Sequence, residues 1–73
     1  MNVQKYKVTS NIEMWNMLFL EGDIIYVTDA IYTQDVFEYI RKVFDVNRKF
    51  LGRISDNYYE STIRHSLTDK LWK

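Results

Sequence analysis

Residues 17–27 read MLFLEGDIIYV, two short apolar runs hinged on Glu21-Gly22-Asp23. The chain has two glycines and no proline, so there are few places where a backbone reversal with φ > 0 is cheap. The tripeptide is therefore expected to be a turn. Upstream, residues 5–10 (KYKVTS) form a β-prone run in which two-residue alternation puts Tyr6 and Val8 on one face. Residues 11–16 (NIEMWN) read as a loop, and residues 17–20 as a short strand. Residues 24–32 (IIYVTDAIY) are rich in β-branched and aromatic side chains and predict a second strand, which Thr33-Gln34-Asp35 ends.

Residues 36–46 (VFEYIRKVFDV) fit two periods. Val36, Ile40, Val43 and Phe44 fall at helical spacing, while alternation puts Val36, Ile40, Phe44 and Val46 on one face of a strand. Residues 43–54 (VFDVNRKFLGRI) read as two strands around a tight turn at Asn47-Arg48, since Asn tolerates left-handed φ/ψ. A hairpin needs an extended first arm, which favours strand over most of 36–46. Asp56-Asn57-Tyr58 then reads as a turn and residues 60–65 as a last strand. Residues 66–73 read as a helical tail, with Ser66 and Asp69 spaced as in a capping box.

At 73 residues the chain is expected to be one domain, with a core limited by its size. It has no cysteine, so neither a disulfide framework nor a zinc-thiolate site supplements that core. Six Tyr, four Phe and two Trp supply large buried areas instead. Ten acidic and ten basic residues balance, which argues against binding nucleic acid by overall charge and against acidic mimicry of DNA. No apolar run approaches the roughly 18 residues of a membrane span, and the start MNVQKYKVTSN lacks the apolar core of a signal peptide. A cytoplasmic protein is expected. Few Ala, Gly and Pro beside many Ile, Lys, Asn, Tyr and Phe match AT-rich codons, pointing to a low-GC bacterium or its phage.

Enzymatic chemistry has little support. His65 is the sole histidine and has no cysteine to share a metal with. Ser61, Thr62 and Ser66 lie near it but suit a strand end or a helix cap, and no nucleophile elbow or phosphate-binding glycine loop occurs. Asp23, Asp29, Asp35, Asp45 and Asp56 recur at strand ends, where short polar side chains cap turns. No catalytic residue, metal or cofactor is expected.

Binding has more. Trp15, flanked by Met14 and Met17, sits before the Gly-Asp turn, and methionine suits adaptable surfaces. In Tyr58-Tyr59 an extended backbone would turn one ring inward and leave the other for a partner. Arg41, Lys42, Arg48, Lys49 and Arg53 form the concentrated basic group, with Tyr39, Phe44 and Phe50 interleaved, a pattern able to hold phosphates and stack bases. Ile63, Leu67 and Leu71 recur every four residues with Trp72 alongside, so a helical tail would present an apolar stripe for docking or self-association as a homodimer.

Met17-Leu18-Phe19-Leu20-Glu21-Gly22-Asp23-Ile24-Ile25-Tyr26-Val27 and Gly52-Arg53-Ile54-Ser55-Asp56-Asn57-Tyr58 resemble two stretches of the Src-homology-3-like small barrels. The resemblance spans roughly residues 5–65, its specific part fewer than twenty. It implies an all-β, five-stranded small barrel with a short C-terminal helix; the alternative is α+β with residues 34–45 helical. Of the residues that resemblance would place in a peptide groove, Tyr58 matches. Tyr6-Lys7-Val8-Thr9, Val36-Phe37 and Ser55 depart from the family pattern, with Tyr59 or Phe37 as substitutes. The function expected is a non-enzymatic protein-interaction module, an accessory protein of a phage or mobile element that binds a host protein. Nucleic-acid binding by the basic hairpin over residues 41–53 is the rival, and such small barrels serve too many tasks for the fold to decide.

Overall fold

The computed structural model describes residues 2–14 and 17–70. The chain is all-β, and its described residues form eight short strands: β1 (Val3–Val8), β2 (Ile12–Met14), β3 (Met17–Phe19), β4 (Ile24–Thr28), β5 (Ile31–Thr33), β6 (Glu38–Phe44), β7 (Phe50–Ser55) and β8 (Leu67–Thr68). One short helix, α1 (Asp56–Ser61), and a 3₁₀ turn (Ile63–Ser66) lie between β7 and β8. The main sheet is antiparallel in the order β5-β6-β4-β1-β8, with β7 on the other edge of β6, and β2 and β3 make a separate hairpin. β6 joins the sheet at three places: Glu38 to Ile40 pair with β5, Val43 and Phe44 with β4, and Ile40 to Phe44 with β7. The hydrogen-bonded path stays open between β7 and β8 while the sheet wraps the core.

Alternation builds that core. Tyr6 and Val8 point in from β1, Ile25 and Val27 from β4, and Ile12, Met14, Met17 and Phe19 from the β2–β3 hairpin; Val43, Ile54, Tyr59, Ile63 and Leu67 complete it. The Glu21-Gly22-Asp23 turn forms as expected. Gly22 takes φ +97°, the Asp23 carboxylate accepts from Leu20 N at 2.8 Å, and Gly22 N donates to Val8 O at 2.8 Å. The turn thus ties the hairpin to the end of β1. Gly52 serves a different purpose: a Cβ there would lie 3.2 Å from Met17 Sδ, so its absence lets β3 approach β7.

Residues 38–44 are strand, and the helical alternative over 34–45 is replaced by a turn at 34–37 followed by β6. Four further expectations need correction. Residues 12–14 are a strand, not a loop, because Ile12 and Met14 pair with Phe19 and Met17 and share their buried face. The β6–β7 turn puts its positive φ (+69°) on Arg48, not Asn47, because Asp45 Oδ1 accepts from both Asn47 N and Lys49 N and sets the register. Residues 56–58 open a helix, since Ser55 caps it by accepting from Tyr58 N at 3.1 Å with Asp56 in the first turn.

The last concerns the C-terminal segment. Residues 60–65 are helix and 3₁₀ turn instead of strand, and Ser66 and Asp69 cap nothing helical because Leu67 and Thr68 pair with Val8 and Lys7 of β1. Leu67 is buried in the core and offers no stripe for self-association; Leu71 and Trp72 lie outside the described residues. Among the described residues no helix is long and apolar enough to cross a membrane.

Candidate functional site

A cleft of about 590 Å³ opens where β2, the 34–37 turn, the first half of β6, the end of β7 and α1 meet. Its floor is apolar, made by Met14, Ile40 and Ile54, all buried residues whose side chains end at the cleft. Val36 and Tyr58 form opposite lips, 42% and 39% exposed, so both keep apolar surface in water. Glu13 and Glu38 add carboxylates, and Arg53 and Ser55 complete the wall. A volume of this size falls in the range of about 300–1,000 Å³ usual for ligand clefts.

Each wall is held by local chemistry. Arg41 positions α1: its Nε donates to Asp56 at 2.7 Å, its guanidinium reaches Glu60 at 3.2 Å and the Thr28 carbonyl at 3.1 Å, and it lies 4.4 Å above the Tyr59 ring. Tyr59 anchors the helix from below, so Tyr58 is turned outward to the cleft. Burial, and then the neighbouring Tyr6 hydroxyl, push the Tyr59 hydroxyl well above the ordinary tyrosine value. The Tyr6 hydroxyl donates to Gln4, and Tyr59 Oη has no partner among the described residues.

The opposite lip is built by the β5–β6 connection. Phe37 has φ +54° and a ring 78% exposed, between Val36 and Glu38 of the cleft. Arg53 pairs with Asp35 at 3.3 Å. The Thr33 hydroxyl, placed to donate to Asp35 or to the Glu38 carbonyl, and then Arg53 hold the Asp35 carboxyl below its ordinary value.

Of the residues singled out for partner binding, Tyr58 lines this cleft, and exposed Phe37 adjoins it in sequence, between the lining residues Val36 and Glu38. Met17 and Tyr59 are core residues and present no surface; Trp15 lies outside the described residues. The five hairpin cations do not act as one group. Arg41 is engaged by Asp56 and Glu60, Arg53 by Asp35, and Arg48 lies 4.5 Å above the Tyr26 ring, while Lys42 faces Arg53 across the β6–β7 ladder and Lys49 is exposed in the turn. His65 is exposed in the 3₁₀ turn, and no hydrogen bond joins it to a hydroxyl or carboxylate among the described residues.

Glu13, Met14, Ile40 and Ile54 were not anticipated as cleft residues. Met14 and Ile54 follow the same alternation as the core, while Ile40 is out of phase with core residue Val43 on β6, and only the fold brings the three together. For Ser55 a signal was present: a Ser followed by Asp is a helix-start pattern, which locates α1 and with it the Tyr58 lip. No family model, curated protein or solved structure matches the chain.

Proposed function

We propose that this chain is a non-enzymatic protein-interaction module whose cleft takes an extended segment of a partner protein. The observation that carries this reading is the cleft's composition: an apolar floor of Met14, Ile40 and Ile54 between the Val36 and Tyr58 lips, with Glu13 and Glu38 as its two carboxylates. Apolar side chains of the segment would bury on the floor, and a Lys or Arg would face the carboxylates. Tyr58 supplies a rigid ring with a polar tip, the kind of residue that anchors interfaces. A phage or mobile-element accessory protein acting on a host protein in the bacterial cytoplasm is the setting that the residue usage suits.

The test is selection from a randomised peptide library displayed against the intact chain, followed by titration of the enriched peptides. Sequences combining apolar residues with a nearby Lys or Arg are expected. Tyr58→Ala should weaken their binding by at least tenfold, corresponding to the loss of one anchor. Glu13→Lys should select against the basic residue. Absence of enrichment, or enriched peptides indifferent to both substitutions, overturns the reading.

A further inference from the structure

The strand register assembles a second surface on the face of the sheet turned away from the core. Opposed residues of antiparallel strands share a face. Lys5 is opposite Tyr26, Tyr26 is opposite Phe44, and Phe44 is opposite Phe50. These four form one row across β1, β4, β6 and β7, although they are scattered from residue 5 to residue 50 of the chain. The core-facing neighbours confirm the side: Tyr6 with Ile25, and Val27 with Val43, are buried. Tyr26 and Phe44 are half-buried and Phe50 is 51% exposed, with the Phe44 and Phe50 rings edge to face at 5.6 Å.

Cations flank the row on both sides. Lys7, opposite Ile24, lies on one side and Lys42, opposite Arg53, on the other. Arg48 folds back from the β6–β7 turn so that its guanidinium lies 4.5 Å above the Tyr26 ring. Among the described residues, the carboxylate at a paired position on this face is Glu38, opposite Thr33 at the far end of β6 from Phe44. Asp45 accepts the turn amides of Asn47 and Lys49, Asp35 pairs with Arg53, and Glu21 lies near Lys7 at the edge of the face. Glu13, Asp56 and Glu60 lie at the cleft and on α1. A formal charge of zero therefore conceals a segregated distribution.

We propose that this outer sheet face binds single-stranded nucleic acid, a ligand class distinct from the cleft's peptide. Phe50, Phe44 and the Arg48–Tyr26 pair give unpaired bases flat surfaces to stack on, and Lys5, Lys7 and Lys42 take the phosphates. Stacking on aromatic rings tolerates any base and requires that bases be unpaired, so single strands are favoured over duplex. The cations of the face match a polyanion and fit poorly with an acid-free apolar partner.

Fluorescence anisotropy with labelled oligothymidylate and oligouridylate tests this, with a mixed-sequence duplex of equal length as competitor. Engaging three or four phosphates predicts a log–log salt slope of about −2 to −3 for the single strands. Phe50→Ala should weaken binding about 5- to 150-fold at unchanged slope, because it removes stacking and no charge. Lys5→Gln and Lys42→Gln should each reduce the slope by about 0.7. Phe50 and Lys5 are exposed, and a matching thermal melt shows that a variant still folds. Tyr58→Ala, in the cleft, should leave oligonucleotide affinity unchanged and so separates this proposal from the peptide reading. Preference for either oligonucleotide supports the proposal and identifies DNA or RNA as the source. Failure of both to bind at low salt, competition by duplex equal to that of single strand, or indifference to Phe50→Ala and Lys5→Gln overturns it.

Discussion

Arg41 Nε donates to Asp56 Oδ1 at 2.7 Å, and this ion pair fastens the middle of β6 to the first turn of α1. It sets the distance between the floor of the cleft and its Tyr58 lip. Arg41 is only 18% exposed, and the same guanidinium satisfies the Thr28 carbonyl and covers the Tyr59 ring. Arg41→Met keeps the stem but leaves Asp56 and the Thr28 carbonyl without that partner. A loss of about 2 kcal/mol is expected, since removing one member of a charged hydrogen bond exposes the desolvation penalty of the other. In a domain this small that lowers the melting temperature by about 8–16 °C. Glu60→Ala, whose carboxylate is 56% exposed, should cost less than about 0.5 kcal/mol. Thermal melts of the two variants decide; equal effects would deny Arg41 this role.

Among the described residues the buried Tyr59 hydroxyl has no partner, so Tyr59→Phe should be neutral or stabilising by up to about 1 kcal/mol at neutral pH. The pH dependence has a definite sign. The folded state holds the Tyr59 proton more tightly than the unfolded chain, whose tyrosines titrate near pH 10. That contribution to stability is fully present below about pH 10 and is lost as pH rises above it toward the folded value. Urea titrations at neutral pH and above pH 10 should show a steeper alkaline loss in the wild type than in Tyr59→Phe. Parallel losses would mean that the hydroxyl is not held in its neutral form by the fold.

The two glycines separate by mechanism. Nothing lies within 4 Å of a Cβ placed on Gly22, so the cost of Gly22→Ala is that of a left-handed backbone at φ +97°, about 1–2 kcal/mol. Gly52→Ala instead pushes a methyl to 3.2 Å from Met17 Sδ, an overpacking cost of about 1 kcal/mol. Combining Gly52→Ala with Met17→Ala should recover part of that cost, whereas Gly22→Ala with Met17→Ala should be additive. Chemical denaturation of the five variants measures both couplings. Additivity in both pairs would show that Met17 does not sense Gly52.

Turns and long strands were legible in the chain because their signals are local. Gly22 flanked by acids marked the turn before β4, and alternation together with the downstream hairpin identified residues 36–46 as largely strand. The segment after β7 was not legible. Ile63 and Leu67 stand four residues apart as on a helix, yet one enters the core from a 3₁₀ turn and the other from a two-residue strand. Such a strand exists only because β1 has a free edge, which is a fact of tertiary pairing. The cleft was half legible: Tyr58 stood out, but Met14 and Ile54 carry the same alternation as core positions, and Ile40 falls out of phase with Val43 on its own strand. The outer row of Lys5, Tyr26, Phe44 and Phe50 was hidden further, because only register brings residues from four strands together.

Phe37 sets function against stability in a measurable way. Its φ of +54° is a conformation that disfavours a side chain, and its ring is 78% exposed, so burial returns little of the cost. A left-handed residue other than glycine costs roughly 1–2 kcal/mol, part of which glycine recovers while losing more chain entropy on folding. Phe37→Gly should therefore leave stability unchanged or raise it by up to about 1 kcal/mol. Phe37 sits in the turn between Val36 and Glu38, both of which line the cleft, so its backbone sets how they are presented. The same substitution should weaken peptides selected by the cleft at least fivefold. Paired thermal melts and peptide titrations read both effects on one protein. A variant that loses stability and binds as before would make Phe37 a packing residue and remove it from the interface.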